Sequence, residues 1–153
     1  MIKIQLVEEA HKHGITELIQ KIASEFELPI SNPNSISNPS LDNYWVALNK
    51  TEIIGTVGII KMETSQSILK NMFVKKEYRG KDFGVSQSLL NTVFDWCNSQ
   101  NIHSIYLGTM SQFKAAQKFY EKNGFEKINK NELPTSFIKN SIDDVYYLKR
   151  LSL

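Results

Sequence analysis

Residues 43–108 constrain the fold most strongly. NYWVALN at 43–49, EIIGTVGII at 52–60 and SILKNMFV at 67–74 are β-branched and aromatic runs separated by short polar links. Links that short turn the chain straight back, so the three runs are expected to form an antiparallel meander. A much longer segment separates the third run from the next one, IHSIYLG at 102–108, and it places Val85, Leu89, Leu90, Val93, Trp96 and Cys97 on one helical face. That predicts a helix over 84–100 and a strand–helix–strand crossover, the connection that parallel strands need. The run 52–60 is apolar on both faces, as expected of a central strand covered on both sides.

The flanks extend this plan. IKIQLV at 2–7 alternates like a strand, and Ile15, Leu18, Ile19, Ile22 and Phe26 follow at helical spacing. PISNPNSISNPS at 29–40 is an exposed loop by its Pro, Asn and Ser content. After 108, Phe113, Ala116, Phe119 and Tyr120 predict another helix, stopped by Asn123-Gly124. GFEKIN and DVYYLKRL supply two further strands around an irregular loop at 129–141. The expected class is α+β: a central mixed, mostly antiparallel sheet with helices on both faces, forming one domain over residues 1–153.

Composition excludes several function classes. With 41% hydrophobic and 22% charged residues and a mean hydropathy of -0.30, the chain reads as an ordinary folded protein. The longest apolar stretch, Ile53 to Ile60, is far short of the ~20 residues of a membrane helix. No membrane partner is expected, and the first residues lack the apolar core of an export signal. Cys97 is the single cysteine, which excludes an internal disulfide and a multi-cysteine zinc site and suits a reducing, cytoplasmic setting. A net charge of +2 is too small to make nucleic acid the default partner, so any anion site must be local.

One segment carries such a site. In Phe73-Val74-Lys75-Lys76-Glu77-Tyr78-Arg79-Gly80-Lys81-Asp82-Phe83-Gly84 a strand ends in a basic loop with two glycines that opens directly into a helix. The first N–H groups of a helix have no intrahelical acceptor, and together with the helix dipole they hold phosphate well. Lys75, Lys76, Arg79 and Lys81 add positive field against Glu77 and Asp82. A pyrophosphate is the natural ligand; a charged turn before an ordinary helix is the plainer alternative.

The loop has company. Leu69–Val74, Glu77–Lys81, Gly84, Leu89-Leu90 and then Ala115-Ala116-x-x-Phe119-Tyr120-Glu-Lys-x-Gly124-Phe125 together resemble the GNAT superfamily of acyl-CoA N-acyltransferases. The resemblance is specific from about residue 66 to 126 and mainly positional elsewhere. It implies acetyl-CoA as cosubstrate, no metal, and transfer of the acetyl group to a primary amine of a small molecule or peptide by direct attack in a ternary complex, in a monomer or homodimer. A CoA-binding regulatory module without turnover is the alternative. A nucleic-acid role for Lys75–Lys81 is a third reading. By the same resemblance Arg79, Gly80, Lys81, Asp82, Phe83, Gly84 and Val85 wrap the CoA pyrophosphate. Met72, Phe73 and Val74 bind the pantetheine arm through their backbone, with the Val74 N–H on the acetyl carbonyl, while Phe113 and Ala116 lie beside the arm. Tyr120 matches the tyrosine that protonates the departing thiolate, a core aromatic being the alternative.

Three positions depart from the family pattern. Asp82 replaces the inner glycine of the pyrophosphate loop, where a carboxylate ~4 Å from a phosphate would cost ~4 kcal/mol at an effective dielectric of ~20. It is expected to point to solvent and cap the helix. Phe113 replaces a common asparagine, and Ile68 stands where many members place a basic glutamate, so no general base is identified. The acceptor is expected against loops 29–42 and 129–141, with Glu25, Glu27 and Asp42 as carboxylates that could attract it or simply be solvated. His11, His13 and His103 are too scattered for a metal, Ser111 has no visible triad, and Cys97 is expected to be buried and inert.

Overall fold

A computed structural model describes residues 2–30, 41–63, 65–80 and 84–151. In chain order the elements are β1 (Ile2–Leu6), α1 (Lys12–Ala23), β2 (Asn43–Asn49), β3 (Glu52–Lys61), β4 (Gln66–Val74), α2 (Val85–Ser99), β5 (Ser104–Thr109), α3 (Lys114–Lys122), β6 (Glu126–Ile128) and β7 (Val145–Arg150). The seven strands form one sheet in the order β1-β2-β3-β4-β5-β7-β6, with β4 and β5 as its parallel pair and the other neighbours antiparallel. The meander and the crossover are therefore both present.

The two faces are covered differently. On one, α2 sets Val85, Leu89, Leu90, Val93 and Cys97, all fully buried, against Ile54, Val57 and Ile59 of β3, and α3 adds Tyr120. Each such aliphatic side chain contributes about 1.5–3 kcal/mol, which is why the amphipathic pattern places this helix. On the other face, α1 packs Ile15, Leu18 and Ile22 beside Val46, Leu48 and Phe73. Further along that face the loop before β7 lays Phe137 over Ile60, Ile68, Tyr106 and Tyr146. Ile68, where the resemblance leads one to expect a glutamate, is thus a sealed core residue.

Two differences from the sequence-based expectation matter. Phe26 lies beyond the end of α1, and Phe113 precedes α3 with a ψ of 66°. Their rings meet edge to face at 4.7 Å, so Phe113 joins the cluster under α1 instead of sharing the face of Tyr120. Two of the three histidines do local work: His11 Nδ1 accepts the Glu8 N–H at 2.9 Å ahead of α1, and His13 pairs with Glu17. Cys97 is buried beside Ser67, and burial pushes its thiol up to about 11, as expected of an inert thiol.

Candidate active site

A gap in the sheet makes the site. Parallel pairing joins Gln66–Ile68 to Ser104–Tyr106, after which β4 and β5 part. The cause lies in β4, where Asn71 and Met72, between Lys70 and Phe73, stand against the single Val57 between Gly58 and Thr56 on β3. This β-bulge turns on Asn71, at a φ of 52°, and the buried Thr56 hydroxyl pins it by donating to the Asn71 carbonyl at 2.7 Å. The bend re-aims the last part of β4 and leaves backbone groups on its free edge. Lys75 N–H donates to Ile54 O at 2.8 Å, so alternation turns the N–H and C=O of Val74 away from β3. The Val74 carbonyl does accept from Arg79 Nε on that side, at 2.8 Å.

A cavity of about 770 Å3 occupies this gap. Of the residues singled out from the sequence, Met72, Phe73, Val74, Arg79, Gly80, Gly84, Phe113, Ala116 and Tyr120 all line it. Gly84 sits at the start of α2 with a φ of 61°, a left-handed conformation that suits glycine, and Ser86 and Gln87 of the first turn also face the cavity. Val85 does not, since its side chain is sealed in the core, which leaves only its backbone to serve a ligand. Lys81, Asp82 and Phe83 lie outside the described residues, as does the 31–40 part of the expected acceptor loop.

The charges are arranged differently from the sequence-based expectation. Arg79 holds protein groups: besides the Val74 carbonyl, it makes a bidentate contact with Glu25 at 2.7 and 3.1 Å, tying the end of β4 to the segment after α1. Lys75 pairs with Glu52 and Glu77, and Asp42 accepts the Lys61 N–H, so these groups, like Glu25, already have protein partners. Lys118 and Lys122 of α3 supply cations to the cavity instead. Tyr120 is 6% exposed, and among the described residues its hydroxyl has no hydrogen-bond partner. Burial, then the charge of Asp143 and the neighbouring Tyr147, pushes the phenol above its ordinary value, so it stays protonated.

Asp143 is the residue that sequence reasoning missed. It stands on the loop before β7 over Gly108 of β5, and a Cβ at Gly108 would lie 2.6 Å from its Oδ2. Its N–H donates to Asn140 O at 3.0 Å and its carbonyl accepts from Tyr146 Oη at 3.1 Å, so the backbone is held at both ends. The neighbouring Asp144 caps the Ser111 backbone and hydroxyl at 2.8 and 3.0 Å, whereas the Asp143 carboxylate opens into the cavity. Burial pushes its pKa up to about 6 against the opposing pull of Lys70, with Asp144 adding to the rise. Only the Gly108 contact and the path of the loop bring it here, and neither leaves a local signature in sequence.

Comparison with known proteins fits this architecture. Residues 40–127 match the acetyltransferase (GNAT) domain, more than half of the chain. The chain belongs to the GNAT family. A GNAT-family acetyltransferase of Staphylococcus aureus superposes with a TM-score of 0.90 at 33% identity, covering 99% of this chain and all of that one. At 15% identity the GNAT fold also extends to the N-acetylglutamate synthase of Neisseria gonorrhoeae, with a TM-score of 0.77 over 100% of this chain and 36% of that one; that enzyme was crystallised with coenzyme A and N-acetyl-glutamate. In sequence, the N-acetylaspartate synthetase of Danio rerio is 30% identical over 95 residues, 61% of this GNAT chain. The chain spans only about a third of the length of that relative and 38% of human N-acetyltransferase 8B.

Proposed function

We propose that this GNAT domain transfers an acetyl group from acetyl-CoA to an amine by direct attack within a ternary complex. One observation carries the reading: the cavity at the β4–β5 gap runs from the glycine start of α2, past the free edge of Val74, to the unpartnered hydroxyl of Tyr120. That sequence of groups suits pyrophosphate, thioester and leaving sulfur in turn. The helix start offers N–H donors to phosphate. The Val74 N–H, turned away from β3, is the kind of donor that favours the charge of a tetrahedral intermediate on the acetyl oxygen. Tyr120 carries a proton for the thiolate. The same cavity also reaches Asn140 and Asp143, so an acceptor has room beside the thioester. The coenzyme A seen with the Neisseria synthase and with the PaiA N-acetyltransferase of Thermoplasma acidophilum supports the choice of cosubstrate.

The test pairs binding with turnover. Acetyl-CoA is expected to raise the melting temperature and to release free thiol when primary amines are supplied. CoA binding without thiol release from any amine would make this a binding module and overturn the enzymatic reading.

A further inference from the structure

Lys70 and Asp143 form an opposite-charge couple that the fold holds open. Lys70 lies on β4 beside the bulge, half-buried, with its Nζ 3.4 Å from Ile138 O and 6.0 Å from the centre of the Phe137 ring. Asp143 faces it from the loop before β7, near enough to feel its charge, yet the two make no ion pair. The reason is the scaffold: Asn140 and Tyr146 fix the Asp143 backbone, and Gly108 gives the carboxylate its seat. Both charges line the same cavity. Among the described residues, the other ionisable groups around Asp143 are Asp144, Tyr146 and, from α3, Tyr120.

Two opposite charges, partly stripped of water and kept apart, are costly to a fold and complementary to a molecule that carries both. We infer that the acceptor is an amino acid, its ammonium received by Asp143 and its carboxylate by Lys70, with Asp143 serving as the base for transfer. The inference rests on the acetyltransferase reading above. The ammonium passes one proton to Asp143, and the neutral amine then attacks the carbonyl carbon. The N–C bond forms to give the tetrahedral intermediate, and its collapse breaks the C–S bond. Sulfur leaves with the proton of Tyr120, the second proton of the nitrogen restores the phenol, and the proton on Asp143 escapes to water. The products are an amide, a free thiol and one proton.

The experiment compares amino acids with their carboxamides and decarboxylated amines, side chain for side chain, at saturating acetyl-CoA. The wild-type protein is expected to favour the carboxylate-bearing member by about tenfold or more in kcat/KM, because an unmatched buried charge penalises the analogue. Lys70→Met should erase that preference, and Lys70→Arg should retain most of it. Asp143→Asn should lower kcat for both classes and replace the fall in rate below pH about 6 with one that follows the neutral-amine fraction across the whole range below the pKa of the substrate. Equal use of amino acids and plain amines by the wild-type protein overturns the inference and leaves the acetyltransferase reading intact. Bound CoA with no thiol release from any member of the panel overturns both.

Discussion

Asp143→Asn should make the protein more stable at neutral pH while disabling it. The amide keeps the size and shape that fit over Gly108, so packing changes little. What it removes is a carboxylate whose folded-state pKa stands at about 6 against an ordinary 3.8. At 1.36 kcal/mol per pKa unit, holding that group ionised costs the folded state about 3 kcal/mol, an upper bound because local relaxation recovers part of it. The sign follows from linkage. Below pH 3.8 the carboxyl is protonated in both states and the penalty is absent; it develops as pH rises, and it is complete above about 6. For a chain of 153 residues, recovering about 2 kcal/mol of that penalty raises Tm by about 4–8 °C. Calorimetric melting of wild type and variant at pH 3.5, 5 and 7.5 is the assay. The Tm difference should be near zero at the lowest pH and largest at the highest. A variant that melts below wild type at pH 7.5, by a wider margin than at pH 3.5, would refute the reasoning, since the ionised carboxylate would then be well paired and contribute to stability.

Tyr120→Phe keeps the ring contacts with Phe119, Phe125 and Tyr147, so calorimetric CoA binding should hold while kcat falls by about 10²–10⁴-fold. Gly108→Ala drives a methyl to 2.6 Å from Asp143 Oδ2, which must move. Steady-state kinetics should show kcat falling more than CoA affinity, and melting should show a loss of about 1–3 kcal/mol. Thr56→Val removes the hydroxyl that pins the bulge and leaves the Asn71 carbonyl unmatched, a cost of about 1–3 kcal/mol by denaturant unfolding, and weaker CoA binding should accompany it. Glu25→Gln releases Arg79 from its bidentate partner, so CoA should bind about two- to fivefold more tightly at low salt, an advantage that fades as ionic strength rises.

Most of the fold was legible in the chain because it is written in short-range periodicity. The face of Val85, Leu89, Leu90, Val93 and Cys97 predicts α2 and which way it turns, since burying that stripe dominates the free energy of placing it. The short links around β3 dictate the meander, and the long link from β4 to β5 dictates the crossover. The glycine-bearing start of α2 was equally visible, because a helix start is a local event. Phe113 was misread for a complementary reason: helical spacing carried the pattern one residue past the true start of α3, and contact with Phe26, far away in sequence, decided where its ring went.

Distance along the chain also explains what the sequence kept hidden at the site. The bulge at Asn71 depends on Thr56 from the adjacent strand, Arg79 finds its partner in Glu25 near the end of α1, and Lys70 faces a carboxylate at 143. None of these pairs has a spacing that marks it, because sequence separation sets no limit on contact once a sheet and its loops have folded. Asp143 and Asp144 are chemically identical neighbours, yet the first opens into the cavity and the second caps a turn. The side chain itself determines that each can carry charge. Only the tertiary structure, through the missing Cβ of Gly108 and the two hydrogen bonds on the Asp143 backbone, decides which carboxylate is left without a partner and so becomes available for chemistry.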